Sequence, residues 1–130
     1  MFLAHGDLKY QNVLQNNQEG VLNVIDWEDS RMTNILGLEL EIGNFLGLCC
    51  NRIIENAPTN LISQDNESLL IDSLVCNFPE LCPKLILVCK IIARFAVLQH
   101  RWFSNKNIKI EEKKLEIESF LSEIENLMFD

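Results

Sequence analysis

The chain has 130 residues, 48% of them apolar and 23% charged, which suits one domain with a core of its own and is short for a two-lobed enzyme. Its net charge of −8 argues against a nucleic-acid partner, because phosphate backbones are bound through a surplus of Lys and Arg. The same charge is compatible with a cationic small molecule.

Residues 1–30 read as short β elements around a loop. Met1-Phe2-Leu3-Ala4 is too short and too uncharged for a signal peptide. Asn12-Val13-Leu14 is a first apolar run, Gln15 to Gly20 has turn chemistry, and Val21 to Ile25 is a second β-rich run. The pattern predicts a hairpin with Asn12 at one end and Asp26 at the other. These two residues then become neighbours despite fourteen residues of separation.

From about residue 36 the pattern turns helical. Leu36, Leu38, Leu40, Ile42, Phe45, Leu46, Leu48, Cys49, Ile53 and Ile54 give a broad apolar face, which Asn56-Ala57-Pro58-Thr59-Asn60 ends. Ser63 or Asp65 then caps a second helix running to about Asn77, with Leu69, Leu70, Leu74 and Val75 inward. Phe78-Pro79 breaks it, and Pro83 fits the first turn of a third helix reaching about Phe103. That helix is apolar on nearly every side and belongs at the centre of the core. Ser104 to Asn107 is a loop. The last helix, roughly Ile110 to Met128, sets Ile117, Phe120, Leu121, Ile124, Leu127 and Met128 opposite a Glu/Lys-rich face.

Five cysteines, at 49, 50, 76, 82 and 89, contain no C-x-x-C pair and cannot all be bridged within one chain. Several fall in apolar helical stretches, where free Cys acts as a small hydrophobe. The expectation is a reduced, cytoplasmic protein. Zinc is not expected, because no paired ligand spacing occurs and the two histidines lie far from the cysteines in sequence. The most apolar segment, Leu85 to Leu98, is interrupted by Lys90 and Arg94 and falls short of a membrane span.

The residues that carry chemistry sit at the start. His5-Gly6-Asp7-x-x-x-x-Asn12, followed by Ile25-Asp26-Trp27, resembles the catalytic and metal-binding loops of the aminoglycoside phosphotransferase and choline kinase-like superfamily. These are small-molecule relatives of protein kinases, which carry H-R-D-L-K-x-x-N and D-F-G at the equivalent places. Gly6 in place of Arg, and Trp27-Glu28 in place of Phe-Gly, favour the small-molecule branch. The resemblance is specific over residues 3–30 and general beyond them.

The resemblance implies a role for each residue. Asp7 is the catalytic carboxylate that orients the acceptor hydroxyl and takes its proton. Asn12 and Asp26 hold the Mg²⁺ that bridges the phosphates of ATP, hard oxygen donors being what that ion takes. Lys9 approaches a phosphate, and His5 packs and hydrogen-bonds to fix the loop. Trp27 packs in the core behind the metal site. Glu28 and Asp29 extend the acidic cluster, and a solvated turn serves them equally well. Family members also carry a D-P-x-x-D-L-like stretch whose second acid braces the catalytic loop. Met32 to Leu40 occupies that region without the Asp-Pro, leaving Glu39 or Glu41 to brace the loop. His100, Arg101, Trp102 and Phe103 end the third helix. Packing on the last helix is their simpler reading, and a share in walling an acceptor pocket is what the resemblance adds.

The implied fold is α+β: a protein-kinase-like C-lobe in one domain over 1–130, with a short β-hairpin carrying both loops and about four helices behind it. The nucleotide-binding N-terminal lobe, with its phosphate-gripping Lys and paired helix Glu, is expected to be absent, since only four residues precede His5. The implied activity is transfer of the ATP γ-phosphate to a hydroxyl of a small molecule, weak or lost in this chain alone. The alternative is a non-catalytic remnant acting as a binding or interaction module. Either version predicts an exposed apolar face, open to an N-lobe partner or to self-association. Aminoglycosides, choline-like amines, sugars, homoserine and macrolides are handled by similar loops, so the motif specifies a hydroxyl and no particular acceptor.

Overall fold

The structure is a computed structural model describing residues 1–16, 18–49, 52–54, 57–59, 63–104 and 107–129, with the backbone alone at 52–54 and 57–59. It is α+β, with three antiparallel strand pairs and four helices among the described residues. Strand β1 (Phe2–Ala4) leads into the His5–Asn12 loop, which closes with a 3-10 turn at Tyr10–Asn12. Strands β2 (Val13–Asn16) and β3 (Val21–Val24) form the hairpin, in register from Val13↔Val24 to Asn16↔Val21. Gly20, at φ +68°, turns the chain between them.

Strand β4 (Arg31–Thr33) returns to pair with β1, Phe2 opposite Thr33 and Ala4 opposite Arg31. The sequence pattern shows the hairpin and misses this second pair, because three residues are too few for a period-2 signal. The pair clamps the loop between its two strands, so both ends of the motif region are tied to one place.

Helix α1 (Ile35–Cys49) starts at Asn34, whose Oδ1 accepts from Gly37 N at 3.1 Å. It ends earlier than its apolar pattern implies. Ile53 and Ile54 belong instead to β5 (Arg52–Ile54), paired with β6 (Ala57–Thr59) in a second hairpin. Adjacent β-branched residues favour strand, and Pro58 cannot continue a helix, so the local preference wins over the helical spacing. Residues 50, 51, 56 and 60 of the expected helix end lie outside the described residues, as do 105 and 106 of the later loop.

Helix α2 (Gln64–Asn77) is capped by Ser63, whose hydroxyl accepts from Asn66 N at 3.2 Å. Leu69, expected inward, is 66% exposed, and Ile71 takes its place in the core. Helix α3 (Pro83–Ser104) is central, and Leu46 of α1, Ile71 of α2, Leu81 and Ile86 form the buried core. Phe45, Leu70, Leu74 and Leu87 pack around it. Glu67 and Lys90 join α2 to α3 by an ion pair at 2.7 Å, with little of either side chain in solvent. Helix α4 (Ile110–Phe129) lies on the outside of α3. Arg94–Glu123 at 3.0 Å, Trp102 Nε1 donating to Glu116, and an edge-on Phe95–Phe120 contact hold it. None of its residues is buried, so its apolar stripe is half covered at most, Leu121 and Met128 being exposed.

The tightest contact is α1 on α3. A Cβ at Gly43 would fall 2.3 Å from Cys89 Cβ and 2.7 Å from the Ile86 carbonyl oxygen, and one at Gly47 would fall 2.6 Å from Ala93 Cβ. No side chain fits there without moving backbone, so the two helices meet main chain to main chain. Gly43→Ala is therefore expected to lower stability by about 1–3 kcal/mol, while exposed Ser119→Ala stays within about 0.5 kcal/mol; urea unfolding of the pair checks both.

Cys89 lies buried on the same interface. Burial, and secondarily the charge of Glu39, push its thiol above the ordinary range. The thiolate is the reactive form, so iodoacetamide should modify exposed Cys76 and Cys82 well before Cys89 in native protein. Peptide mass spectrometry over a time course reads this order. Labelling of Cys89 at the rate of the other two would contradict the packing.

Candidate active site

The loop from His5 to Asn12 is assembled from short-range hydrogen bonds. His5 is 3% exposed. Its Nε2 donates to the Ile25 carbonyl at 2.7 Å, and its Nδ1 accepts from Asp7 N at 3.2 Å. One ring thus ties the catalytic-type loop to the end of β3, immediately before Asp26. Trp27, expected in the core, is 45% exposed. It lies against the His5 ring at 4.6 Å between centroids, with its Nε1 donating to the Val24 carbonyl at 2.7 Å. The indole covers the histidine from outside instead of backing the site from within.

Gly6 stands at φ +90°, and a Cβ there would lie 2.2 Å from the Asp29 carbonyl oxygen. The left-handed conformation and the close approach both require glycine. This is a physical reason for the His-Gly-Asp order, independent of any resemblance: the loop passes directly over the turn that follows Asp26.

Asn12 is 6% exposed. Its Nδ2 donates to the Asp7 carbonyl at 2.9 Å and approaches Asp7 Oδ2 at 3.5 Å. The amide nitrogen faces Asp7, and the amide Oδ1 accepts no hydrogen bond among the described residues. Backbone bonding continues from the hairpin, with Ile25 N donating to Asn12 O at 2.9 Å. Asp26, the next residue, therefore begins where Asn12 ends. It is exposed, at φ +63°, the one positive φ outside glycine among the described residues. An Asp tolerates this better than most residues, yet such conformations cost about 1–3 kcal/mol and gather at functional sites.

Lys9, expected near a phosphate, has its Nζ on Asp7 Oδ2 at 3.0 Å, with about a third of each side chain in solvent. The ion pair is weak as a source of stability and acts instead to hold the carboxylate. Of the two bracing candidates, Glu41 is the one on the loop, its Oε1 accepting from Gly6 N at 2.7 Å. Glu39, 3% exposed, accepts from Cys82 N at 2.6 Å at the start of α3. Its charge meets the positive end of that helix. Glu39 thus secures α3, and the loop takes its brace one half-turn further along α1.

A cleft of about 440 Å³ opens beside Asp7, within the range of about 300–1,000 Å³ found for small-molecule sites. One stripe of α1 forms a wall: Gly37, Leu40, Glu41, Asn44 and Leu48. One stripe of α3 forms the other: Ala93, Ala96, Val97 and His100. Arg31 of β4, itself exposed, also lines the cleft. His100 and Trp102 part company here, His100 lining the cleft and Trp102 packing on Glu116 of α4. The sequence pattern shows the two helices; which stripe of each lines the cleft, and that the stripes share it, comes from the tertiary structure.

The donor chemistry fits a hard cation. Among the described residues, no three His, Cys, Asp or Glu side chains group to hold a metal. The donors available are one amide oxygen and one carboxylate, a sparse set. Mg²⁺ accepts such a set, since it keeps waters and takes further oxygens from phosphates. Gly6→Ala should force the Asp29 turn and Asp26 aside. The expected loss is about 1–3 kcal/mol in urea unfolding, with a Trp27 emission shift on Gly6→Ala read in a Trp102→Phe background, where Trp27 is the one tryptophan left. No protein-family model, curated protein or solved structure matches this chain.

Proposed function

We propose that this chain forms the acceptor-side and metal-side half of a phosphotransferase site, of the kind in which a kinase-like C-lobe moves the γ-phosphate of ATP to a small-molecule hydroxyl. One observation carries the reading: the Asn12 amide nitrogen donates to Asp7, and the Asn12 carbonyl accepts from the backbone of Ile25, the residue before Asp26. The backbone thereby brings Asp7, Asn12 and Asp26 to one end of one hairpin, with a cleft beside Asp7 for the acceptor.

In this reading Asp7 accepts a hydrogen bond from the acceptor hydroxyl and takes its proton as the oxygen attacks the γ-phosphorus and the bond to ADP breaks. Lys9 fixes the Asp7 carboxylate in position and offsets charge near the transferring phosphoryl group. Asn12 Oδ1 and the Asp26 carboxylate would hold Mg²⁺, which when bound neutralises charge on the phosphate oxygens. His5 and Gly6 position the loop, and Glu41 braces it from α1. Catalysis of this kind is mostly positioning and electrostatics. It also needs a grip on the remote phosphates and adenine, for which the described residues show no element.

The reading is tested by calorimetric titration of MgATP into the wild-type protein and Asp26→Ala. The expected outcome is Mg²⁺-dependent binding that weakens about tenfold or more in the variant, the loss of a charged interaction of about 1.5–3 kcal/mol. Nucleotide binding without Mg²⁺ dependence, or no heat in either protein, removes the reading.

A further inference from the structure

We infer that the cleft beside Asp7 takes a compact alcohol with an apolar body, neutral or singly charged, and not a polycationic sugar. This rests on the reading of Asp7 as the group that meets a hydroxyl; the class of molecule attached to that hydroxyl follows from the walls.

The two helical walls differ from a polyol or polyamine site. Leu40 and Leu48 on α1 face Ala93, Ala96 and Val97 on α3, and small and branched apolar groups have no hydrogen bonds to return to buried amines or hydroxyls. Placing such groups there costs their hydration without compensation. An apolar body gains from the same contact, and the 440 Å³ of space suits one ring with a short arm better than linked sugars.

The charges point the same way. Among the described residues two carboxylates border the cleft, and both are engaged: Asp7 with Lys9 at 3.0 Å, Glu41 with Gly6 N at 2.7 Å. Arg31, with no ion-pair partner among the described residues, lines the cleft and repels a polycation. The acidity of the chain lies elsewhere. Helix α4 alone carries six glutamates against two lysines, half of the net −8, and it packs on α3 by contacts other than the cleft residues. The overall charge therefore says nothing in favour of a cationic acceptor. The cleft itself is close to balanced.

Asp7, Gly6 and Glu41 lie where the loop meets its brace, Asn44 and His100 add one polar side chain to each helical wall, and Leu40, Leu48, Ala93, Ala96 and Val97 supply the apolar surface between them. A molecule with one hydroxyl and a largely apolar remainder matches that lining. Its oxygen reaches Asp7 while its body lies between α1 and α3.

Titration of ¹⁵N-labelled protein by NMR, without nucleotide, reads this directly. The probes are 3-phenylpropan-1-ol, its methyl ether and the polycationic aminosugar kanamycin. The alcohol should shift cleft amides and bind about tenfold more tightly than the ether, which lacks the donor for Asp7. It should also bind more tightly than kanamycin. Ala96→Trp and Asn44→Trp, both at exposed cleft positions, should each weaken the alcohol about tenfold or more, with Leu115→Trp on exposed α4 leaving it unchanged. Circular dichroism checks that the variants fold. Tighter binding of kanamycin, no alcohol binding, or binding unaffected by both cleft tryptophans overturns the inference. Failure of MgATP binding with alcohol binding intact would remove the phosphotransfer reading and leave this one standing.

Discussion

At Gly43 and Gly47 helix α1 lies so close to α3 that no Cβ fits between them, and the rest of the molecule is arranged around that contact. Close approach brings Leu46 and Ile86 into a fully buried position and gives α2 a surface on which to lay Ile71. The cleft runs beside that contact: Ala93, which Gly47 meets, also lines it, together with Asn44 and Leu48, the residues next to the two glycines. Core and cleft are two consequences of one helix pair. Dispersion and burial at the glycine contact hold the walls of the site at fixed separation.

The loop depends on a different kind of force. The β2–β3 hairpin is mostly exposed, with Leu14, Val21 and Leu22 in solvent, so burial contributes little there. A small set of directed hydrogen bonds does the positioning: His5 to Ile25, Asp7 N to His5, Asn12 to Asp7, Gly6 to Glu41. Because His5 and Asn12 are themselves buried, each unmade bond would leave a polar group unsatisfied, which is costlier than the bond is favourable. The β1–β4 pair anchors the arrangement at both ends of the motif region. Strain collects at the one place where geometry is forced, Asp26, next to the carbonyl that His5 holds.

Much of this was legible in the chain. Four helices, a cap at Ser63 or Asp65, the breaks at Phe78-Pro79 and Pro83, and the hairpin with Asn12 and Asp26 at its ends all follow from period, capping and turn chemistry, and the structure selects Ser63. Where local signals conflict the reading fails: Ile53 and Ile54 extend a helical stripe yet form strand, because β-branching and Pro58 outweigh spacing. Leu69 fails for another reason. It is apolar at helical spacing, but the face α2 presents is set by where α3 lies, and Ile71 meets it. Glu39 and Glu41 are both acidic and two apart, so they point to different sides of one helix. Which side meets the loop depends on how α1 is docked.

The sequence by itself determined the order and type of the four helices and of the hairpin with Asn12 and Asp26 at its ends. Those depend on neighbours along the chain: hydrogen-bond periodicity, caps and turns act over a few residues. Only the tertiary structure decided that Arg31, Asn44 and His100 border the same space as Asp7, that Trp27 shields His5 from outside, and that Glu41 braces the loop. It also decided that α4, which carries half of the net charge, packs on α3 away from the cleft residues. These are relations between segments tens of residues apart, fixed by the single docking geometry that the α1–α3 contact allows.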